Sequence, residues 1–266
     1  MLPRHVVAVD DPADPRIAAF VGLRDRELRV QDGQFVAESD ILIARATEAG
    51  YAPISVLIDA TRTEPLPEVL PVEVSVFGAS PAVIGRITGL GVHRGSLGLF
   101  ARRPLATADE VIAGARRLVV PGGVMNPTNI GVIFRSAAAF GIDGVLLDED
   151  SSDPLYRRAS RVSMGTVYGV PYATVPRLPL GLNVLSDAGF VTVALTPDAD
   201  ALPLDELAFG ADQPVAILLG TEGPGLSAAA MDAADYRVRI PIAAGVDSLN
   251  VAAAAAVALY ALTRTR

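Results

Sequence analysis

Three short stretches hold polar side chains in surroundings that are otherwise apolar or rich in glycine. In "NPTNIGVIFRS" (126–136), Asn129 and Arg135 stand six residues apart with Gly131 between them. An arginine among Ile130, Val132, Ile133, Phe134 and Ala137 needs an ionic partner or a path to solvent for its head group. "LLGTEGPGLS" (218–227) runs an apolar strand into a loop where Gly220, Gly223 and Gly225 surround Thr221, Glu222 and Pro224. Glycine at that density lets the backbone approach a ligand closely or take positive φ. The loop has neither the G-x-G-x-x-G of a dinucleotide site nor the G-K-[ST] of a P-loop. The third stretch, "IPIAAGVDSLNVAAAAAVALY" (240–260), sets Asp247, Ser248 and Asn250 before a run of alanine and valine. Asp247 or Ser248 is the expected N-cap of that helix. Asn250 then falls one or two places inside it, with no structural reason to be there.

Composition narrows the chemistry. The 266 residues suffice for one large or two ordinary domains with a substantial core. Without cysteine there is no disulfide, no thiolate nucleophile and no Cys-ligated metal, and His5 and His93 are too few for a histidine metal site. No metal is expected. No apolar run reaches the ~18–20 residues of a membrane span, and "MLPRHVVAVDDPADPR" carries acids where a secretory signal would be apolar. The expectation is a cytoplasmic protein with no membrane partner. A net charge of −8 is unlike the basic footprint of most nucleic-acid binders. All 22 basic residues are arginine, which suits bidentate phosphate contacts but also follows from GC-rich codon usage.

The elements that must position these residues fall into two parts. Residues 1–105 hold a helical start in "DPRIAAFVGLRDRELR", a helix in "SDILIARATEAG" closed by Gly50, and strands in "PISVLID" and "VEVSVFG". That mixture predicts a smaller α/β domain. Residues 106–117 read as a linker, with Thr107 capping a short helix through Glu110. From 118 to 266 strands alternate with helices: "RLVVPGG", "IDGVLLDED", "FVTVALTP" and "PVAILLG" are apolar runs ended by Gly, Pro or acids. "NIGVIFRSAAAFG" is a helix closed by Gly141. Strands so apolar on both faces predict a mostly parallel sheet.

Taken in order, Asn129-x-Gly131-x-x-x-Arg135, Gly220-x-Glu222-Gly223-x-Gly225-Leu226-Ser227 and Ile240-Pro241…Ser248-Leu249-Asn250-Val251 closely resemble the SpoU (TrmH-like) RNA ribose methyltransferases of the SPOUT superfamily. "RRASRVSMGTVYGVP" (157–171) is similar to that family's Arg-rich stretch. Upstream, "GQFVAES" and "HRGSLGLFARRP" resemble the small RNA-binding domain many members carry, with Ser39 where glycine is usual and Arg94 where glutamine is common. The resemblance implies an α/β fold whose C-terminal domain (118–266) has a mostly parallel sheet tied in a deep trefoil knot. It implies S-adenosylmethionine held largely by backbone at Gly220, Ile240 and Leu249, with Pro241, Leu195 and Thr196 beside them. It also implies a homodimer formed around the same helices, with the alanines of helix 248–262 packing closely.

The implied reaction methylates a ribose 2′-hydroxyl of RNA, with ribosomal RNA favoured by the upstream domain. Arg135 would orient or activate the hydroxyl. A guanidinium stays protonated at neutral pH, so clamping an RNA phosphate that takes the proton asks less of it than acting as a base. Asn129 and Asn250 would fix the ribose or the arginine, Glu222 the motif loop, and Ser248 would face the cofactor and ribose. Arg94, Arg102, Arg103, Arg157, Arg158 and Arg161 are candidate phosphate contacts, because RNA needs a local positive surface and not a basic whole. A tRNA ribose methyltransferase, a resistance methyltransferase and a non-catalytic RNA-binding or assembly protein stay open beside this reading.

Overall fold

The computed structural model describes residues 5–22, 25–88, 95–210 and 212–264. The chain begins with β1 (Val6–Ala8), a 3-10 turn (Pro15–Phe20), α1 (Asp25–Asp32), β2 (Gln34–Glu38) and α2 (Asp40–Glu48). Then come β3 (Pro53–Asp59), β4 (Ser75–Ala79), α3 (Pro81–Thr88) and β5 (Leu97–Ala101). The middle holds α4 (Ala108–Ile112), β6 (Arg117–Pro121), α5 (Pro127–Ala139), β7 (Gly144–Asp148) and α6 (Arg157–Val162). The remainder is β8 (Tyr172–Val175), α7 (Asn183–Asp187), β9 (Val191–Leu195), β10 (Leu202–Pro203), β11 (Val215–Leu219), α8 (Ala228–Ala233), β12 (Tyr236–Arg239) and α9 (Val251–Arg264). Contacts divide the chain into a first unit, Met1–Pro104 with Leu155–Gly169, and a second, Leu105–Pro154 with Val170–Arg266.

The second unit is built on a sheet of order β10-β12-β9-β11-β6-β7-β8 in which every neighbouring pair is parallel. Each residue of β6, β7 and β11 is buried, which is why these strands are apolar apart from Arg117 at the start of β6 and Asp148 at the end of β7. Leu118, Val120, Leu146 and Leu218 form one core with Leu182, Leu185 and Phe190. Val111 and Ile112 of α4 belong to that same core. Residues 106–117 are therefore no linker: Val111 and Ile112 are bound into the sheet's cover, with Ala106, Ala108 and Ala115 packed against it. The reciprocal cap between Thr107 and Glu110 is present as expected.

The first unit has a mixed sheet of order β1-β4-β3-β5-β2, with β1, β4 and β3 parallel and β5 antiparallel to β3 and β2. Its aromatic cluster explains why residues 155–169 group with it and not with the second part, where the sequence placed them. Tyr168 is 3% exposed, and its ring lies 5.6 Å from Phe35 and 5.8 Å from Tyr51. In α6, Arg157 bonds Asp25 at 3.0 Å and Glu38 at 2.7 Å. Arg45 of α2 donates to the carbonyl of Met164.

Two positions in this unit have consequences for stability. Ser39 joins β2 to α2 at φ 98° and ψ 155°, a region that favours glycine, and its side chain makes no capping bond. Asp40 is held by Arg62 at 2.9 and 3.2 Å and accepts from the Ser96 hydroxyl. Burial pushes the Asp40 carboxyl up, but the bonds from Arg62 and Ser96 and the Arg62 charge outweigh it, leaving it below 3.8. A carboxyl lowered by folding stabilises above its unfolded value and loses that contribution as the pH falls through its folded value.

Ser39→Gly is expected to raise stability by about 1 kcal/mol in urea unfolding, because it releases backbone strain at a modest entropic cost. Arg62→Ala is expected to lower stability at neutral pH. The gap from the parent protein should narrow below pH 3.8 as Asp40 takes up a proton, followed by unfolding midpoints across pH.

Candidate active site

Parallel strands put their C-terminal ends on one edge of a sheet, and loops leaving that edge build sites in open α/β folds. Four adjacent strands of the second unit, β12, β9, β11 and β6, do this here. The residues that follow them are Ile240 after β12, Thr196 after β9, Gly220 after β11 and Gly122 after β6. The loops after β12, β9 and β11 enclose a cavity of about 120 Å³ with the start of α9.

Leu195, Thr196, Gly220, Ile240, Ser248 and Leu249 all line this cavity. Pro241 is exposed and is not among the lining residues. Val251 and Ala254 also line it, and sequence reading assigned them only to a packing helix. Their spacing of three on the first turn of a helix is the signal that could have placed them on one face. Gly220 is fixed by its neighbours: a Cβ there would fall 2.2 Å from the backbone of both Gly225 and Leu226. Thr221 closes the loop, its amide and hydroxyl both reaching the Gly225 carbonyl, at 3.2 and 3.1 Å.

Asn250 resolves the puzzle of the polar residue before the alanine helix. The N-cap is Asn250 itself, not Asp247 or Ser248, and α9 begins at Val251. Its Oδ1 accepts the amides of Ala252 at 3.0 Å and Ala253 at 3.3 Å. Asp247 and Ser248 lie in the exposed loop ahead of it. With the oxygen so committed, Nδ2 must point the other way. It donates to Glu222 Oε1 at 2.6 Å and to Asn129 Oδ1 at 3.3 Å.

Asn129 reaches this meeting point from the first turn of α5, which Asn126 caps by accepting the Thr128 amide, with Pro127 following it. It is 4% exposed, and its Nδ2 is buried with no acceptor among the described residues. A buried donor left in that state costs about 1–3 kcal/mol. Arg135, six residues on, is exposed and roughly 120° around the helix from Asn129.

Four of the six candidate phosphate contacts have partners within the first unit. Arg157 and Arg161 pair with acids of the first unit, Arg157 with Asp25 and Glu38 and Arg161 with Glu38 at 3.3 Å. Arg102 donates to the Gln34 carbonyl at 3.1 Å, and Arg103 to that of Ala49 at 2.8 Å. The Arg103 guanidinium also lies 4.0 Å from the centre of the Tyr51 ring. Arg158 is exposed, and Arg94 lies outside the described residues. Among the described residues no group of three or more acids and histidines could hold a metal, and no helix is long and apolar enough to cross a membrane.

Residues 116–260 match the SpoU rRNA Methylase family. An uncharacterized tRNA/rRNA methyltransferase of Mycobacterium tuberculosis is 40% identical over 97% of this chain and 91% of its own. The fold is similar to an AdoMet-bound rRNA methyltransferase from Sinorhizobium meliloti, with a TM-score of 0.81 and 25% identity over 97% of this chain and 98% of that one. It is also similar to an RNA 2′-O ribose methyltransferase, with a TM-score of 0.80 and 28% identity over 97% and 99% of the two chains. Motifs, parallel sheet and relatives agree: the chain belongs to the SpoU rRNA methylase family and is an RNA methyltransferase.

Proposed function

We propose that this protein methylates a ribose 2′-hydroxyl in ribosomal RNA, using S-adenosylmethionine bound in the cavity beside Gly220. The observation that carries the reading is the meeting of Asn129, Glu222 and Asn250. They come from three separate segments and join next to a cavity walled by backbone and aliphatic side chains. The similarity to an AdoMet-bound rRNA methyltransferase and to a 2′-O ribose methyltransferase supports the cofactor, the RNA class and the target atom.

The cavity's lining suits that cofactor. Leu195, Ile240, Leu249 and Val251 offer aliphatic walls for an adenine and a methionine chain, and the glycine loop offers main-chain groups at close range. Glu222 supplies negative charge at the rim, which favours a sulfonium cation. When bound, S-adenosylmethionine supplies an electrophilic methyl group. The residues' part is to hold a ribose oxygen in line with it, and such positioning lowers the barrier by converting an encounter into an internal step. Asn250 orients Glu222 and Asn129, and the unmet Nδ2 of Asn129 is a donor suited to a substrate oxygen. Arg135 would clamp a phosphate of the RNA, whose oxygen takes the proton released by the hydroxyl.

The trefoil knot and the homodimer belong to the same proposal. Support for the dimer is a set of exposed apolar side chains in the second unit: Val246 in the loop before α9, and Val257 and Tyr260 on it.

Methyl transfer from labelled S-adenosylmethionine to purified ribosomal and transfer RNA tests the reading. Label is expected in ribosomal RNA at one ribose, and the phosphodiester there should resist alkali because its 2′-oxygen is blocked. Arg135→Ala should lower the rate by about 100-fold or more while leaving cofactor affinity unchanged. Label confined to transfer RNA would move the substrate, and label on a base would overturn the ribose assignment. Gly220→Ala should abolish cofactor binding measured by calorimetry, because its new methyl group has only backbone to displace.

A further inference from the structure

We infer that Asp148 is a positioning residue for methyl transfer, acting through the loop that launches α5. The inference rests on reading Asn129, Glu222 and Asn250 as the active site. Asp148 is the last residue of β7 and is 3% exposed. It lines no part of the cavity beside Gly220. Its Oδ1 accepts the Gly123 amide at 2.8 Å and the Ser151 hydroxyl at 2.9 Å. Ser151 in turn accepts the Val124 amide at 3.1 Å, and its oxygen lies 3.0 Å from the Pro121 carbonyl. The Ser152 amide donates to the Val124 carbonyl at 3.0 Å. The turn 148–152 thus grips the backbone of 121–124, just ahead of the Asn126 cap and the first turn of α5 that carries Asn129.

Gly123 makes this grip matter to the second motif as well. It sits at φ 67°, and a Cβ on it would fall 2.9 Å from Thr221 Cγ2. Thr221 is the residue that closes the Glu222 loop on Gly225. One glycine is therefore held from one side by Asp148 and abuts the Glu222 loop on the other. Its position sets the spacing between the two loops that deliver Asn129 and Glu222 to Asn250. Hydrogen bonds to a buried, fixed acceptor are suited to this task, because the interior around them is close-packed and passes displacements on. Asp148 itself touches neither the cavity nor the three polar side chains, so its effect is one of placement.

The test compares Asp148→Ala, Asp148→Asn, Ser151→Ala and Asn129→Ala in the full-length protein, with cofactor affinity by calorimetry and methyl transfer at saturating substrate. Asp148→Ala is expected to lower kcat about tenfold or more while cofactor Kd stays within about twofold, since small misplacements far from the chemistry carry such penalties. Asp148→Asn keeps an oxygen that can accept the Gly123 amide and should recover most of the rate. Ser151→Ala should show the same kcat-only loss to a smaller degree. Full kcat in folded Asp148→Ala, or parallel loss of kcat and cofactor affinity, would overturn the inference. Should Asp148→Ala not fold, Ser151→Ala decides by the same split. Asn129→Ala separates the two levels. If it stays active, the active-site reading fails. If it is inactive while the Asp148 and Ser151 variants are unimpaired, only this inference fails.

Discussion

The site turns on a single amide whose two ends are committed to different partners. The oxygen of Asn250 terminates α9, and its nitrogen draws Glu222 and Asn129 together. Aspartate would cap the helix as well but would set a second carboxylate against Glu222. Serine would cap it and offer no reach across to Glu222. Glutamine has the right head group but is a poor N-cap, because its longer chain does not fold back on the first amides. Asparagine alone combines a good cap with a donor of fixed direction. The assignment of its oxygen and nitrogen is also forced, because only the oxygen can accept from Ala252 and Ala253.

That constraint works because the sheet has already placed the three partners on one edge. β12, β9, β11 and β6 are adjacent and parallel, so the loops they release come out together although their residues are far apart in the chain. Asn129 and Asn250 are separated by 121 residues and Glu222 and Asn250 by 28. Each loop needs a way to turn without filling the space beside it, which is where the glycines fall. Gly220 packs on backbone, and Gly123 packs on Thr221. Asn129 is buried, and the exposed Glu222 and Asn250 are directed toward it and each other by hydrogen bonds.

Much of this was legible in the sequence, and the misses share a cause. β3 spans the very residues of "PISVLID", and β6, β7, β9 and β11 each lie inside the apolar run that announced them. Continuous burial writes itself into composition. The Thr107–Glu110 cap was legible for the same reason, since both partners are three residues apart. The cap of α9 is not legible locally because Asp247, Ser248 and Asn250 are all residue types that cap helices, and what distinguishes Asn250 is its bond to Glu222 across the fold. Residues 106–117 look like a linker because only two large apolar side chains, Val111 and Ile112, in a short helix give little periodicity. The excursion 155–169 was assigned to the wrong unit because its partners, Asp25 and Glu38, lie 132 and 119 residues away.

The arginines show how one chemical property can serve either of two ends. A planar, always-charged fork suits a phosphate, but it equally suits two carboxylates at once. Arg157 divides its guanidinium between Asp25 and Glu38, and Arg161 takes the other oxygen of Glu38. Burial pushes the Asp25 carboxyl up, and the Arg157 charge and hydrogen bonds offset part of that rise. A part-buried pair of this kind is costly to break from one side, because the partner is left charged and less well solvated. These arginines are therefore held as parts of the first unit's structure, and a phosphate would have to displace carboxylates to recruit them. With a net charge of −8, the long-range field of the chain also opposes an RNA. Recognition must then rest on short-range contacts at the site, where fit and a few well-placed donors count for more than the number of cations.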